Sequence, residues 1–232
     1  MTQGSYNQFC PVAMAAEILC TRWTVLVLRE MALGSKRFND LRRGLPRMSP
    51  ALLSQRLKEL EEAGIVHRRA VRGESGAFDY ELTSSGRELQ PIIEAIGKWG
   101  HRWIESGPTL ENLDPHLLMW DMRRRLDPHP MPKRRTTVQF LYPDLPAAQR
   151  AWWMIVTPGE DVDLCSFDPG FDVDLYVASD LKTMTGIWLG YETVRQAVRD
   201  DRVKLTGDRE LSQHIQTWLG LSPFAKERKM VA

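Results

Sequence analysis

The chain has 232 residues, 31 Lys/Arg against 30 Asp/Glu and a net charge of +1, enough length for one large or two modest domains and no whole-protein charge to select a partner. Cys10, Cys20 and Cys165 are too few and too scattered for a disulfide framework or a zinc site. No stretch approaches the roughly 18 apolar residues of a membrane span, and no basic-then-apolar run marks a secretion signal, so a cytoplasmic protein without membrane insertion is expected.

Residues 1–9 are polar and read as a loose end. Cys10-Pro11 opens a first helix with Val12, Ala15, Ala16 and Leu19 on one side. After a break near Thr21, a second helix carries Trp23, Leu26, Val27 and Met31 at helical spacing and stops at Gly34. Residues 36–45 form a short third helix with Phe38 and Leu41 inward and Arg42 and Arg43 outward, closed by Pro46. Then Ser49 supplies a capping hydroxyl and Pro50 the ring that fits a first helical position. Leu53, Leu57 and Leu60 make one apolar stripe, and Gly64 is the stop. The opposite face presents Ala51, Ser54, Gln55 and Lys58, small, polar and basic, as a helix entering a DNA groove requires. Two short helices joined by a tight turn are a helix-turn-helix arrangement.

Residues 65–71 and 78–83 read as the strands of a hairpin whose tip is GESGA; Phe78, Tyr80 and Leu82 alternate with polar residues. Arg68, Arg69 and Arg72 make this hairpin a wing able to touch phosphates or a minor groove. Residues 21–72 hold twelve Lys/Arg against five Asp/Glu, whereas residues 108–232 hold sixteen against eighteen, so the basic charge is local. Residues 84–105 predict one longer helix with Leu89, Ile92, Ile96, Trp99 and Trp103 in a wide stripe. It is either intramolecular core or, the preferred reading, with the first helix a surface for a second subunit, which suits two-fold operators.

Residues 108–135 read as a connection: a helix over 114–126, then Pro128, His129, Pro130 and Pro132 between basic clusters at 123–125 and 133–135. From Thr136 the pattern becomes short strands (TTVQFLY, WWMIVT, VDLCSF, VDLYVAS), helices over 181–189 and 191–198, a strand over 203–207 and a final helix over 208–219 capped by Asp208. Strands followed by helices predict an α+β domain with a mainly antiparallel sheet. The assigned organisation is 1–107 for the DNA-binding and dimerisation domain, 108–135 for the connection and 136–232 for a second domain.

Residues 8 to about 105 resemble the HxlR family of winged-helix regulators, relatives of the MarR group. The match rests on Cys10-Pro11-Val12, Arg22-Trp23, Arg37-Phe38-Asn39-Asp40-Leu41, Pro46, Ser49-Pro50, Leu53, Gln55-Arg56-Leu57, Leu60-Glu61, Gly64, Tyr80-Glu81-Leu82-Thr83, Gly86 and Trp99. Where the family tends to have Gly-Gly-Lys before the tryptophan, this chain has Cys20-Thr21-Arg22, and its wing tip lacks a proline. The resemblance implies a homodimer on double-stranded DNA: Ser49, Ala51, Ser54, Gln55 and Lys58 toward the major groove, and Arg37, Arg42, Arg43, Arg47, Arg68, Arg69 and Arg72 toward phosphate. It also places Cys10 where some such regulators sense oxidants or electrophiles; a thiol at a helix N-terminus is activated, although a small buried packing residue is the plain alternative.

From Trp152 onward the chain is similar to the sterol carrier protein type-2 family, through Trp153 to Val156, Val162-Asp163-Leu164, Phe171 to Leu175, Trp188-Leu189-Gly190 and Lys204 to Asp208. That resemblance implies an apolar tunnel for a hydrophobic small molecule or fatty-acyl effector; Trp152, Trp153, Phe167, Met184 and Trp188 are the candidates to line it, with plain hydrophobic core as the alternative for each. No phosphate loop or paired metal motif is present, the five histidines (67, 101, 116, 129, 214) are scattered, and only residue type links Ser166, His214 and Asp168. The chain therefore reads as a non-enzymatic regulator without cofactor or metal; a lipid carrier that uses the winged helix to dimerise is the alternative.

Overall fold

The structure, a computed structural model, describes residues 5–231. Residues 1–4 and 232, the outer ends of the two assigned domains and part of the polar N-terminal stretch, lie outside the described residues. The chain divides into two compact units, Met1–Gly97 and Lys98–Ala232.

In the first unit, α1 (Pro11–Leu19), α2 (Thr24–Ala32), α3 (Phe38–Gly44) and α4 (Pro50–Glu62) are followed by β1 (Val66–Ala70) and β2 (Phe78–Leu82), paired antiparallel with Val66 opposite Leu82. The stretch before α1 is not loose throughout: Glu17 accepts from Ser5 Oγ at 2.7 Å and from the Tyr6 amide at 2.8 Å. The core joins Val27, Leu28 and Met31 of α2 with Leu41, Leu45 and Met48 around the turn, Leu53, Leu57 and Leu60 of α4, and Ile65, Val66 and Leu82. Leu26 points away from it and is 40% exposed. At the start of α2, directly after Cys20-Thr21-Arg22, Trp23 takes φ 80°, a left-handed conformation that a bulky residue rarely adopts.

The single helix expected over 84–105 is two, α5 (Ser84–Glu88) and α6 (Gln90–Trp103). Pro91 has no amide to give to the Arg87 carbonyl, and its ring disfavours helical backbone at Gln90, so a new helix starts there. Thr83 caps α5 through the Gly86 amide. A Cβ at Gly86 would lie 2.3 Å from the Ile65 carbonyl, which is why this close approach takes glycine.

The second unit contains α7 (Ser106–Thr109), α8 (Pro115–Arg125), β3 (Thr136–Leu141), α9 (Ala147–Arg150), β4 (Ala151–Val156), β5 (Asp163–Cys165), β6 (Leu175–Ser179), α10 (Leu181–Leu189), α11 (Val194–Arg199), β7 (Val203–Gly207), α12 (Arg209–Gln213) and α13 (Ile215–Trp218). The sheet order is β5-β4-β3-β6-β7; β3 and β6 are parallel and the other neighbours antiparallel. This is a mixed α/β architecture with the expected bias toward antiparallel pairing. One sheet face supplies Val138, Phe140, Trp152, Met154, Val156, Leu175 and Val177 to the core, and α10 adds Leu181, Met184, Ile187 and Trp188.

Residues 108–135 are more than a connection. Asp114 caps α8 through two amides, and Leu118, Met119, Met122, Leu126 and Met131 are all part of the second core. The expected last helix is also broken: the Trp218 indole donates to the Leu211 carbonyl at 2.8 Å, taking the acceptor that residue 215 would use in an unbroken helix. Beyond α13 the chain runs back as a strap. The Met230 amide donates to the Arg102 carbonyl at 2.9 Å, Lys229 Nζ reaches the Ile104 carbonyl and the Tyr191 hydroxyl, and Glu227 pairs with Arg102. Those carbonyls close α6, whose last turn has no helical amides left to give them.

Candidate nucleic-acid interface

The α3–turn–α4 segment is fastened from behind. Glu30 of α2 is fully buried; it accepts from Arg29 Nη2 at 2.7 Å and from Ser35 Oγ at 3.3 Å. The same Arg29 nitrogen donates to the carbonyl of Gly44, the last residue of α3, at 2.9 Å. The turn then runs over the buried Leu45 and Met48 into Ser49, whose Oγ accepts the Leu52 amide at 3.3 Å as the N-cap of α4. Ser49 Oγ thus acts as an acceptor at the cap, which leaves its O–H as a donor on an exposed residue.

With Leu53, Leu57 and Leu60 buried, Ala51, Ser54, Gln55 and Lys58 are exposed along the other side of α4. Gln55 Nε2 donates to Glu59 at 2.9 Å and Lys58 pairs with Glu62 at 3.6 Å, interactions one helical turn long that DNA groups can displace. Arg56 does not belong to this face: its Nε donates to the Arg22 carbonyl at 3.1 Å and it pairs with Glu59.

The arginines assigned to phosphate separate into two kinds. Arg42, Arg47 and Arg72 are exposed, Arg43 is exposed beside Asp40 at 2.9 Å, and Arg69 lies 3.8 Å from Glu81. Arg68 stacks on the Phe78 ring with its guanidinium carbon 3.4 Å from the centroid, which stiffens the wing while the charge stays at the surface. Arg37, by contrast, is bound by two carboxylates, Glu74 in the wing tip and Asp79 in β2. Hydrogen bonding to Glu74 holds its proton more firmly than usual; loss of solvation opposes this, and the charge of Asp79 adds to it. Lys36, above all, pulls Glu81 below the ordinary carboxylate range, with His67 and Arg69 assisting. The network linking residues 36–37 to the wing is absent from any local sequence pattern, because its partners lie about forty residues apart.

Residues 18–108 match the model of the family described as HxlR-like helix-turn-helix. The HTH-type transcriptional regulator YvaP of Bacillus subtilis is 38% identical over 100 residues, which cover 43% of this chain and 93% of that protein. The chain belongs to the HxlR-like family. YodB, an HTH-type transcriptional regulator of the same organism, is 32% identical over 105 residues, 45% of this chain and 94% of that protein. The solved reduced form of YodB has 32% identity, covers 42% of this chain and 97% of its own, and gives a TM-score of 0.37. The HxlR match stops at residue 108, so nearly all of the second unit lies beyond it.

In that unit the structure brings together three of the five residues expected to line a tunnel and separates the other two. Trp152, Met184 and Trp188 are buried in one core. Trp153 follows Trp152 on β4 and so faces the other side of the sheet. Phe167 is 70% exposed, in the turn leading to Asp168-Pro169-Gly170, where polypeptide geometry leaves it outside the packed interior. Asp168 serves that turn through the Gly170 amide at 2.8 Å, and the His214 ring bonds the Glu210 carbonyl at 3.0 Å, so the Ser166–His214–Asp168 grouping has no hydrogen-bonded geometry among the described residues. Cys10 is the partly exposed N-cap of α1 and Cys20 its C-cap. At about 1.5 Å of rise per residue the helix holds the two thiols far beyond disulfide reach, so Cys20 does not face Cys10 within one chain. Among the described residues no group of three His, Cys, Asp or Glu could hold a metal ion, and no single helix is long and apolar enough to cross a membrane.

Proposed function

We propose that this HxlR-like protein is a transcriptional regulator that binds duplex DNA as a homodimer and responds to a hydrophobic effector in its second unit. The observation that carries the DNA-binding reading is α4: a capped helix held by three buried leucines, with Ala51, Ser54, Gln55 and Lys58 exposed opposite them. Gln55 has the amide pair that recognises adenine edges, and small neighbours let the helix backbone approach the groove. Arg42, Arg43, Arg47 and the wing arginines Arg68, Arg69 and Arg72 supply phosphate contacts.

Support for a second copy comes from α6. Ile92, Ile96, Trp99 and Trp103 recur at spacings of four and three and are each about half exposed. Between α1 and the first part of α6 runs a groove of about 860 Å³ lined by Val12, Ala16, Leu19, Leu26, Ile92 and Ile96. An apolar stripe of this size on a soluble surface marks a partner site, and two-fold pairing would set two α4 helices about one DNA turn apart.

The effector reading draws on the composition of the second core. Met119, Met122, Met131, Met154 and Met184 are all buried in it with Trp152, Trp188 and Trp218. Methionine repacks readily, so such an interior can admit a hydrophobic small molecule or fatty-acyl chain without a rigid preformed tunnel. The effector controls DNA binding only if it prefers one arrangement of the dimer over another.

The experiment is mass spectrometry of small molecules released from the purified chain, followed by band-shift assays on its own upstream DNA with and without them. Salt-sensitive binding that changes with the released compound supports the proposal. Bound lipid together with no duplex binding selects the carrier function instead.

A further inference from the structure

Arg37 is the N-cap of α3, and its guanidinium is forked onto one carboxylate and ion-paired with a second. Nη1 and Nη2 each lie 3.0 Å from an oxygen of Glu74, and Nε lies 2.8 Å from Asp79 Oδ1. A forked guanidinium binds a phosphate through those same edges. The hairpin is joined to this segment in two places. Along β2 the join is made by backbone and charge: the Tyr80 amide donates to the Lys36 carbonyl at 2.9 Å, Arg37 bridges Asp79 on the strand, and Lys36 pairs with Glu81 at 3.1 Å. At its tip, Glu74 stands between Gly73 and Gly76, both with positive φ, in a turn that no proline stiffens. The contact between Glu74 and Arg37 ties that tip down through two parallel N–H···O bonds, from one end of the helix-turn-helix to the far end of the wing.

We propose that Arg37 is a wing-positioning residue and not a phosphate ligand: through Glu74 it fixes the tip so that Arg72 and its neighbours meet the DNA backbone at a set height. Two carboxylates in a hairpin that approaches DNA would repel phosphate, and Arg37 offsets one of the two charges while tying both carboxylates to the helix-turn-helix. Glycine gives the tip the tight turn but also its largest conformational freedom, which the bidentate pair removes before DNA arrives. The inference rests on the reading of this hairpin as a DNA-binding wing.

The test uses the full chain with Glu74→Ala, which removes a negative charge and leaves every cation in place. Amide exchange of residues 72–77 in the DNA-free protein should speed up. Affinity for duplex DNA should fall roughly five- to tenfold at 0.1 M salt, and the slope of log K against log salt should flatten by about 0.9, one lost phosphate contact. Arg37→Lys, which keeps the charge but not the fork, should behave the same way. An unchanged exchange rate, or affinity that is unchanged or tighter, overturns the assignment; tighter binding with a steeper slope would make Arg37 a phosphate ligand masked by Glu74. Failure of the wing reading itself is seen separately, as an Arg72→Ala control that binds DNA like the wild type, while the exchange measurement still reports on the latch.

Discussion

Substituting Gly44 by alanine tests how the helix-turn-helix is held. Its backbone accepts a side chain, since Gly44 lies within α3 and has no positive φ. The obstacle is steric: a Cβ there would stand 1.9 Å from Glu30 Oε2 and 2.5 Å from Oε1. Glu30 is buried and paired with Arg29, and Arg29 also holds the Gly44 carbonyl, so the carboxylate cannot move by about 1 Å without loosening both bonds. Overpacking costs about 1–3 kcal/mol, and weakening a buried pair adds to it, because full loss of one partner costs about 3–5 kcal/mol. Better helix propensity returns up to about 1 kcal/mol. The net expectation is a loss of about 3 kcal/mol in the first unit. Because two units unfold in one chain, the assay is native-state amide exchange read at Leu45 and Met48, where protection should fall roughly 100-fold. In a Glu30→Ala background the methyl group has room, and the same substitution should cost less than about 1 kcal/mol, a coupling of at least about 2 kcal/mol. Equal costs in the two backgrounds would refute the reasoning, because the clash would then not be with Glu30.

Three further outcomes follow from the geometry. Arg72→Ala should weaken binding to all duplex sequences about equally and lower the salt slope by about 0.9, measured by fluorescence anisotropy across salt concentrations. Ile96→Glu, which puts a charge into the half-exposed stripe of α6, should shift the full chain from dimer to monomer in analytical ultracentrifugation. His101 carries its proton less readily than a free histidine, first because it is partly buried and then because Lys229 is close, with Glu227 opposing. The unfolded chain therefore binds the extra proton first, so the strap's stability is full above the ordinary histidine value of about 6.5 and declines as pH falls through it. Exchange at the Met230 amide, corrected for intrinsic rates, should speed up between pH 7 and pH 5, and His101→Asn should remove that dependence.

Local rules made α4 readable: a serine cap, a proline at the first position and leucines on one stripe are sufficient to predict a helix, and the helix is there. The alternation in β2 and the Asp208 cap of α12 were legible for the same reason. Pro91 carried the signal for the break before α6, but the strong run of Leu89, Ile92 and Ile96 on both sides outweighed it. The broken last helix had no such signal, because it depends on the Trp218 indole reaching back to Leu211. Long-range pairing was also invisible. Glu30 and Gly44 lie fourteen residues apart, Arg37 and Glu74 thirty-seven, and nothing in composition distinguishes an arginine that meets phosphate from one that meets a carboxylate. In the second unit the strands were found as short apolar runs, yet Trp152 and Trp153 could not share one cavity wall because neighbours on a strand face opposite ways.

The proposed role of α4 is to read DNA sequence. The most direct measurement is the affinity of the full chain for its own upstream duplex and for a scrambled duplex of equal length, repeated with Gln55→Ala. The wild type should prefer the upstream duplex, and Gln55→Ala should reduce that preference by roughly 1–3 kcal/mol while affinity for the scrambled duplex stays the same. Equal affinities of the wild type for both duplexes, or a preference that survives Gln55→Ala intact, would contradict it.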